Sequence, residues 1–233
     1  MNKDLIYTKD VKGEEILIDP NFNNFQVMME WEKPYMEALV DNLEPTGDVL
    51  EIGFGFGYSA NQIQKHKIKS HTIIEPNDSV LKKLIKWAKK QKHKVIVVKG
   101  TWQEELKHLG KFDSIFFDDA PSDEIPDYGR VRIYDFYYQL FENHINPNAR
   151  LTWYCDGPIY WICHPETNYT FKKFNLKSPE HCKYANTNVM YMPVVQFPKC
   201  GVLKTINKIS LTNDFKLIKY LPLKDNIQIE EGY

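Results

Sequence analysis

Between residues 48 and 154, short apolar bursts alternate with stretches whose apolar positions recur every three or four residues. Asp48–Ile52, His71–Glu75, Lys94–Val98, Phe112–Phe117 and Leu151–Tyr154 have the length and composition of buried strands. Helical spacing fills the gaps: residues 59–65, a run over Val80, Leu81, Leu84, Ile85 and Trp87 capped by Ser79, residues 102–109, and Tyr134–Phe141. This alternation predicts right-handed βαβ units around a parallel sheet. Upstream, Phe25, Met28, Met29, Tyr35, Met36, Leu39 and Val40 fit a helix interrupted near Pro34. After Cys155 the regularity fades. Val189–Val195 and Lys204–Leu211 read as late strands, and Phe215–Leu221 as an extended tail. The expected class is α/β, a doubly wound, mostly parallel sheet with an N-terminal helical lid and an antiparallel C-terminal addition. No repeat or Gly/Ser linker divides the chain. One domain is therefore expected over 1–233, with the lid in 1–45, the core in 46–200 and a C-terminal extension in 201–233.

Composition narrows the function. Of 233 residues, 42 % are hydrophobic and 14 % aromatic, enough for a sizeable core. Thirty basic residues against 31 acidic ones leave a net charge of −1, so nucleic acid has no global electrostatic reason to bind. The lysines at 82, 83, 86, 89, 90, 92 and 94 read as a solvated helix face, because no aromatics interleave them to stack on bases. No apolar run approaches the roughly 18 residues of a membrane helix. The polar start is not a secretory signal, so the Asn168-Tyr169-Thr170 acceptor motif is set aside. Cys155, Cys163, Cys182 and Cys200 are widely spaced without a CxxC pair, and neither Cys163-His164 nor His181-Cys182 has metal-ligand spacing. The expectation is a reduced cytoplasmic protein with no metal, nucleic-acid or membrane partner; the oligomeric state is left open.

The sharpest local signal is Val49-Leu50-Glu51-Ile52-Gly53-Phe54-Gly55-Phe56-Gly57, an apolar strand running into three glycines before a helix. The turn opens at the carboxyl end of the first core strand, where open α/β sheets bind ligands. A dinucleotide loop is G-x-G-x-x-G, with pyrophosphate on the helix N-terminus. Here the third glycine comes one residue early and Glu51 precedes the first. That is the pattern E/D-x-G-x-G-x-G, associated with S-adenosylmethionine (SAM), which carries an ammonium and no phosphate. Glu75 ends the second strand about 20 residues on, where an acid grips both ribose hydroxyls. Thr101-Trp102-Gln103 follows the third strand and offers adenine an apolar wall and a polar edge.

The acceptor side is acidic. Asp118, Asp119, Asp123, Glu124 and Asp127 lie within ten residues after the fourth strand. The strand end puts Asp118 near the reactive side of the cofactor, and adjacent carboxylates are stabilised by a cationic partner. Asp123, Glu124 and Asp127 read as a solvated loop. In Met29-Glu30-Trp31-Glu32-Lys33-Pro34-Tyr35-Met36, carboxylates stand beside aromatic groups, the makings of a cation pocket or simply of an amphipathic lid.

Taken with Val27–Met36, Val49–Gly55, Ile73-Ile74-Glu75-Pro76-Asn77-Asp78, His93–Ile96, Lys99–Trp102 and Phe112–Asp118, the chain resembles guanidinoacetate N-methyltransferase and its arginine-methylating fungal relatives. The likeness spans about residues 25–155, with fainter echoes at Cys182-Lys183-Tyr184 and Met192–Val195. It implies a class I SAM-dependent methyltransferase with a Rossmann-like sheet. It implies that Glu75 binds the ribose and that Trp102 and Gln103 lie at adenine; with the loop read above, Glu51, Gly53, Gly55, Gly57 and Thr101 complete the expected SAM-binding set. By the resemblance Glu32 and Asp118 would hold a guanidinium; Trp31, Asp119 and Gly157 are added to the expected acceptor site from the aromatic-acidic segment, the acidic strand end and the loop after the fifth strand. The family's D-T-Y-P is Asp118-Asp119-Ala120-Pro121 here, and its carboxylate-binding loop reads Asp156-Gly157-Pro158, whose proline has no N–H to give. The expected activity is methyl transfer to the guanidino group of a small molecule, guanidinoacetate-like or another guanidine. The alternatives are free or protein arginine as acceptor, and a SAM-fold binding protein without catalysis.

Overall fold

The computed structural model describes residues 4–120, 128–157, 167–198 and 227–230. The expected strands at 204–211 and 215–221, and Cys163, His164, Asp123, Glu124, Asp127 and Pro158, lie outside these residues.

The core sheet has eight strands: β4 (Gly47–Ile52), β5 (Ile68–Glu75), β6 (Lys94–Lys99), β7 (Phe112–Phe117), β8 (Ile145–Trp153), β9 (Asn168–Asn175), β10 (Val189–Gln196) and β11 (Ile227–Glu230). Their spatial order is β11-β9-β10-β8-β7-β4-β5-β6. All pairs are parallel except those of β10, which runs antiparallel to both β8 and β9. The chain winds outward from β4 through β5 and β6, then returns to place β7 and β8 on the other side. The order thus reverses between β4 and β7, and the crevice opens at their carboxyl ends.

Alternation along the strands feeds two cores. Leu50, Ile52, Ile74, Ile115 and Phe117 face a cluster with Trp102, Phe136 and Trp153. Val49, Ile73 and Phe116 face the other, with Leu17, Met28, Tyr35, Leu39 and Leu84. Helices α2 (Tyr58–Ile63), α3 (Asp78–Ala88), α4 (Trp102–Glu105) and α5 (Tyr128–Asn143) connect the strands. The cap of α3 is Asn77, whose side chain accepts from the N–H groups of Ser79 and Val80. The expected cap, Ser79, instead donates its hydroxyl to Asn77 and to Leu5 O.

The N-terminal segment differs from the expected helical lid. Strands β1 (Ile6–Lys9), β2 (Glu15–Asp19) and β3 (Phe25–Met29) form an antiparallel sheet, followed by a 3-10 turn over Glu30–Glu32 and by α1 (Lys33–Leu43). Phe25, Met28 and Met29 have helical spacing, but β2 offers those residues a hydrogen-bonding edge, and a five-residue window does not separate the two periods. Pro34 opens α1 rather than interrupting it, in the first turn where its missing N–H costs nothing.

Candidate active site

Gly53 follows β4 and Asp118 follows β7, on neighbouring strands where Ile52 pairs with Phe117. The Asp118 N–H donates to Ile52 O at 3.1 Å. Gly53 has φ +81°, and a Cβ there would lie 2.3 Å from Asp118 O. Gly55, at φ +51°, has Met28 Sδ 2.5 Å from the place a Cβ would take. At both, only glycine combines the left-handed backbone with the available space. Gly57 (φ +77°) precedes α2 and caps it from a left-handed conformation.

Glu75 is buried at the end of β5, one oxygen accepting from Phe54 N–H (3.0 Å) and the other from Asn77 N–H (2.8 Å). Each carboxylate oxygen has a second lone pair, so two adjacent hydroxyls still find acceptors there. Burial pushes its pKa up to about 7; the two N–H donors oppose this, and Asp119 and Glu51 add to it. The bare main chain at Gly53 and Gly55, with acceptor capacity left on Glu75, fits a ribose-bearing cofactor such as SAM.

Of the other expected cofactor residues, Glu51, Thr101 and Trp102 have partners within the protein. Glu51 is fully buried, its carboxylate taking the Ser59 hydroxyl and lying 2.8 Å from His71 Nε2, so it braces the loop from behind. Thr101 forms a capping box with Glu104 at the start of α4. Gln103 is exposed beside it. Trp102 is core, edge-on to Phe117 and Phe136, with its indole N–H donated to Asp119 at 2.5 Å.

On the acceptor side, the 3-10 turn buries Glu32, whose carboxylate accepts from Met29 N–H at 2.9 Å. Two residues not expected at the site complete its surroundings: Tyr154 at the end of a predicted strand and Tyr184 in a faint family echo. The hydroxyls of Tyr184 and Tyr154 face Glu32 and, with Met29 N–H, oppose the burial that lifts its pKa to about 7. Trp31 stacks on Tyr184 with centroids 6.4 Å apart, and Tyr154 meets Tyr35 edge-on at 5.6 Å. The Tyr35 hydroxyl donates to Tyr191 O at 2.6 Å and accepts from Cys155 N–H at 2.9 Å, tying α1 to the turn after β8. Tyr184 is brought over Trp31 by the N-terminal sheet: His181 pairs with Asp10 at 2.6 Å, and Gln26 bonds His181 O and Lys183 N–H.

Asp118 has its pKa pushed well above the usual range, first by burial and then by the charges of Glu32, Asp119 and Glu51. Glu32 is buried among aromatic side chains, Asp118 is half-buried, and the charge of Glu32 acts on Asp118, an arrangement that favours a bound cation over joint ionisation.

Of the remaining acceptor candidates, Asp119 is held by Arg132 and Trp102, whereas Gly157 accepts from Cys155 Sγ and has open space around its Cα. Trp31 also lines a cavity of about 380 Å³ with Lys12, Glu14, Lys177, Ser178, Pro179 and Glu180. Tyr7 was another residue without a motif: its hydroxyl donates to Gly55 O at 2.8 Å, laying β1 against the glycine loop. No group of three metal-ligating side chains occurs among the described residues, and no helix among them is long and apolar enough to cross a membrane.

The guanidinoacetate N-methyltransferase family profile matches residues 18–161. A protein arginine N-methyltransferase 2 of Candida glabrata is 38 % identical over 123 residues, covering 51 % of this chain and 28 % of that protein. The same-named proteins of Kluyveromyces lactis (33 % over 123 residues, 51 % and 29 %) and Saccharomyces cerevisiae (34 % over 102 residues, 41 % and 25 %) are similar. The match thus spans little more than a quarter of the length of these relatives. Among solved structures, a spermidine synthase from Thermotoga maritima superposes with a TM-score of 0.51 (15 % identity, 85 % of this chain, 75 % of that one). An O-methyltransferase from Bacillus cereus in complex with SAH does so at 0.50 (13 % identity, 72 % and 82 %). At such identities the likeness speaks for the fold alone.

Proposed function

Since the chain belongs to the guanidinoacetate N-methyltransferase family of SAM-dependent methyltransferases, we propose that it methylates the guanidino group of a small molecule, with Glu32 and Asp118 as the clamp. The observation that supports this most is Glu32, buried in an aromatic enclosure, with its charge acting on the half-buried Asp118. A guanidinium presents a planar fan of N–H donors, the complement of two carboxylates set against ring faces.

Glu75 would take the ribose hydroxyls, and Gly53 and Gly55 would let the methionine portion lie against the main chain. Bound SAM supplies a methyl group already activated on a sulfonium. The protein's task is then alignment and charge. Glu32 holds one edge of the guanidinium and Asp118 the other, which turns one nitrogen toward the methyl. As that nitrogen took the methyl and the carbon–sulfur bond broke, its electron pair staying on sulfur to leave a thioether, Asp118 would accept the nitrogen's proton. The raised pKa of Asp118 suits it to this, because a carboxylate that resists ionisation is the stronger base.

A pH dependence follows. With no cation present, Glu32 titrates near 7 and Asp118 well above its ordinary value. A guanidinium binds both as carboxylates, so at or below pH 7 its binding expels protons, and its affinity rises as the pH climbs through that value. Titration calorimetry in buffers of different ionisation enthalpy is expected to report proton release at pH 6.5 that shrinks at higher pH. Zero release across the range would remove the two acids from the acceptor site.

A second reading, arginine within a protein, is favoured by the relatives' name and by the mixed-charge cavity beside Trp31. Incubation with labelled SAM and guanidinoacetate, free arginine, agmatine or an arginine-bearing peptide separates the readings. With Asp156 at the loop and no N–H on Pro158, guanidinoacetate is expected to be the poorest small guanidine. Label on the peptide alone would favour the second reading. SAM binding without methylation of any guanidine would leave a scaffold.

A further inference from the structure

Asp119 is bound by Trp102 and Arg132 and adjoins the proposed acceptor acid. It is next to Asp118 in sequence and acts electrostatically on both Asp118 and Glu75. Its Oδ2 accepts from the Trp102 indole N–H at 2.5 Å and from Arg132 Nε at 2.9 Å, and Arg132 Nη2 contacts the same oxygen. Arg132 sits in the first turns of α5 and is 6 % exposed. Burying such a pair is a poor way to gain stability, since neutral residues fill the same volume without desolvating two charges. Its place in the site is the more informative fact.

We infer that Arg132 is a positioning residue for methyl transfer: through Asp119 it offsets negative charge between the ribose acid Glu75 and the acceptor acid Asp118, and through the same oxygen it fixes Trp102. The acceptor half of this rests on the function proposed above. The other groups facing Asp118 are Glu32 before α1, Tyr35 of α1 and Glu51 of β4, with Asp156 near Tyr35. Those facing Glu75 are Glu51 and Tyr7. These neighbours are acids and phenols, and Arg132 supplies the positive charge through Asp119. Without it, the field of Asp119 falls undiminished on both acids and holds them protonated to higher pH.

The test compares Arg132→Met, Arg132→Lys, Asp119→Asn and the double variant Asp119→Asn/Arg132→Met. Two readouts are taken from pH 5.5 to 9: SAM affinity by calorimetry, and kcat/KM for the best guanidine of the panel. In Arg132→Met, the acid limb of both profiles is expected to move up by about one unit, a tenfold loss at fixed pH on that limb. Activity should return at high pH. Arg132→Lys should recover part of the shift. The double variant should restore the limb, because the charge that Arg132 opposed is gone while an amide still accepts from Trp102. A uniform loss with unmoved limbs, or a double variant no better than Arg132→Met, would overturn the inference. Should Arg132→Met fail to fold, the limb of Arg132→Lys against wild type decides alone. The binding profile keeps the two proposals apart: a shifted SAM limb in an enzyme that methylates no guanidine would sustain the role of Arg132 and retire the acceptor.

Discussion

Asp118→Asn is expected to lower turnover by about a thousandfold, the scale of a lost general base, while SAM binds almost as before. The amide preserves the shape, so the link from Asp118 N–H to Ile52 O and the contact of its carbonyl with Gly53 persist. On the proposed mechanism, what disappears is one of two negative charges and the group that would receive the proton. The neutral side chain also relieves the buried repulsion with Glu32, Asp119 and Glu51, so the variant should melt no earlier than the parent. Single-turnover kinetics with saturating donor and acceptor measure the chemical step directly. Turnover within a few-fold of wild type would show that the proton leaves by another route.

Glu75→Gln should act in the opposite compartment. Two ribose hydroxyls donating to one carboxylate contribute about 3 kcal/mol together, and a neutral amide keeps only part of that. One of the main-chain donors now served by the carboxylate, Phe54 or Asn77, would also meet an amide NH₂. SAM affinity is expected to fall about a hundredfold by calorimetry. At donor concentrations that saturate the variant, kcat should stay close to wild type, because Glu75 touches no reacting atom. A large loss of kcat at saturation would mean that Glu75 sets the angle of transfer as well as occupancy.

Where local chemistry decides, the sequence was readable. The glycines after β4 and the acid at the end of β5 follow from the strand–turn–helix pattern itself, and Asp118 from its position at a strand end. The enclosure around Glu32 was not so readable. Tyr184 lay in a faint family echo that carried no role and Tyr154 in a predicted strand; both are made significant by the turn after β8 and by the His181–Asp10 and Gln26 contacts that cross more than 150 positions. Asp119 looked like a substrate ligand because it adjoins Asp118. Its partner Arg132 lies thirteen residues further on, within a helix whose start was placed six residues too late. The first sheet was missed because β3 borrows its edge from β2, and β9 and β11 because their pairing depends on β10 and on each other rather than on a local signal.

The junction where Asp118 O occupies the room a side chain on Gly53 would need has a consequence for how such an enzyme diversifies. On the proposed roles, Gly53 at the donor and Asp118 at the acceptor are two sides of a single main-chain contact, and the distance between them has no side chain through which to drift. Trp31 and Tyr184, held by a separate sheet and a distant loop, bear no such restraint. On the same roles, exchanging Trp31 or Tyr184 would change which acceptor is taken while leaving the stride of the transfer as it is.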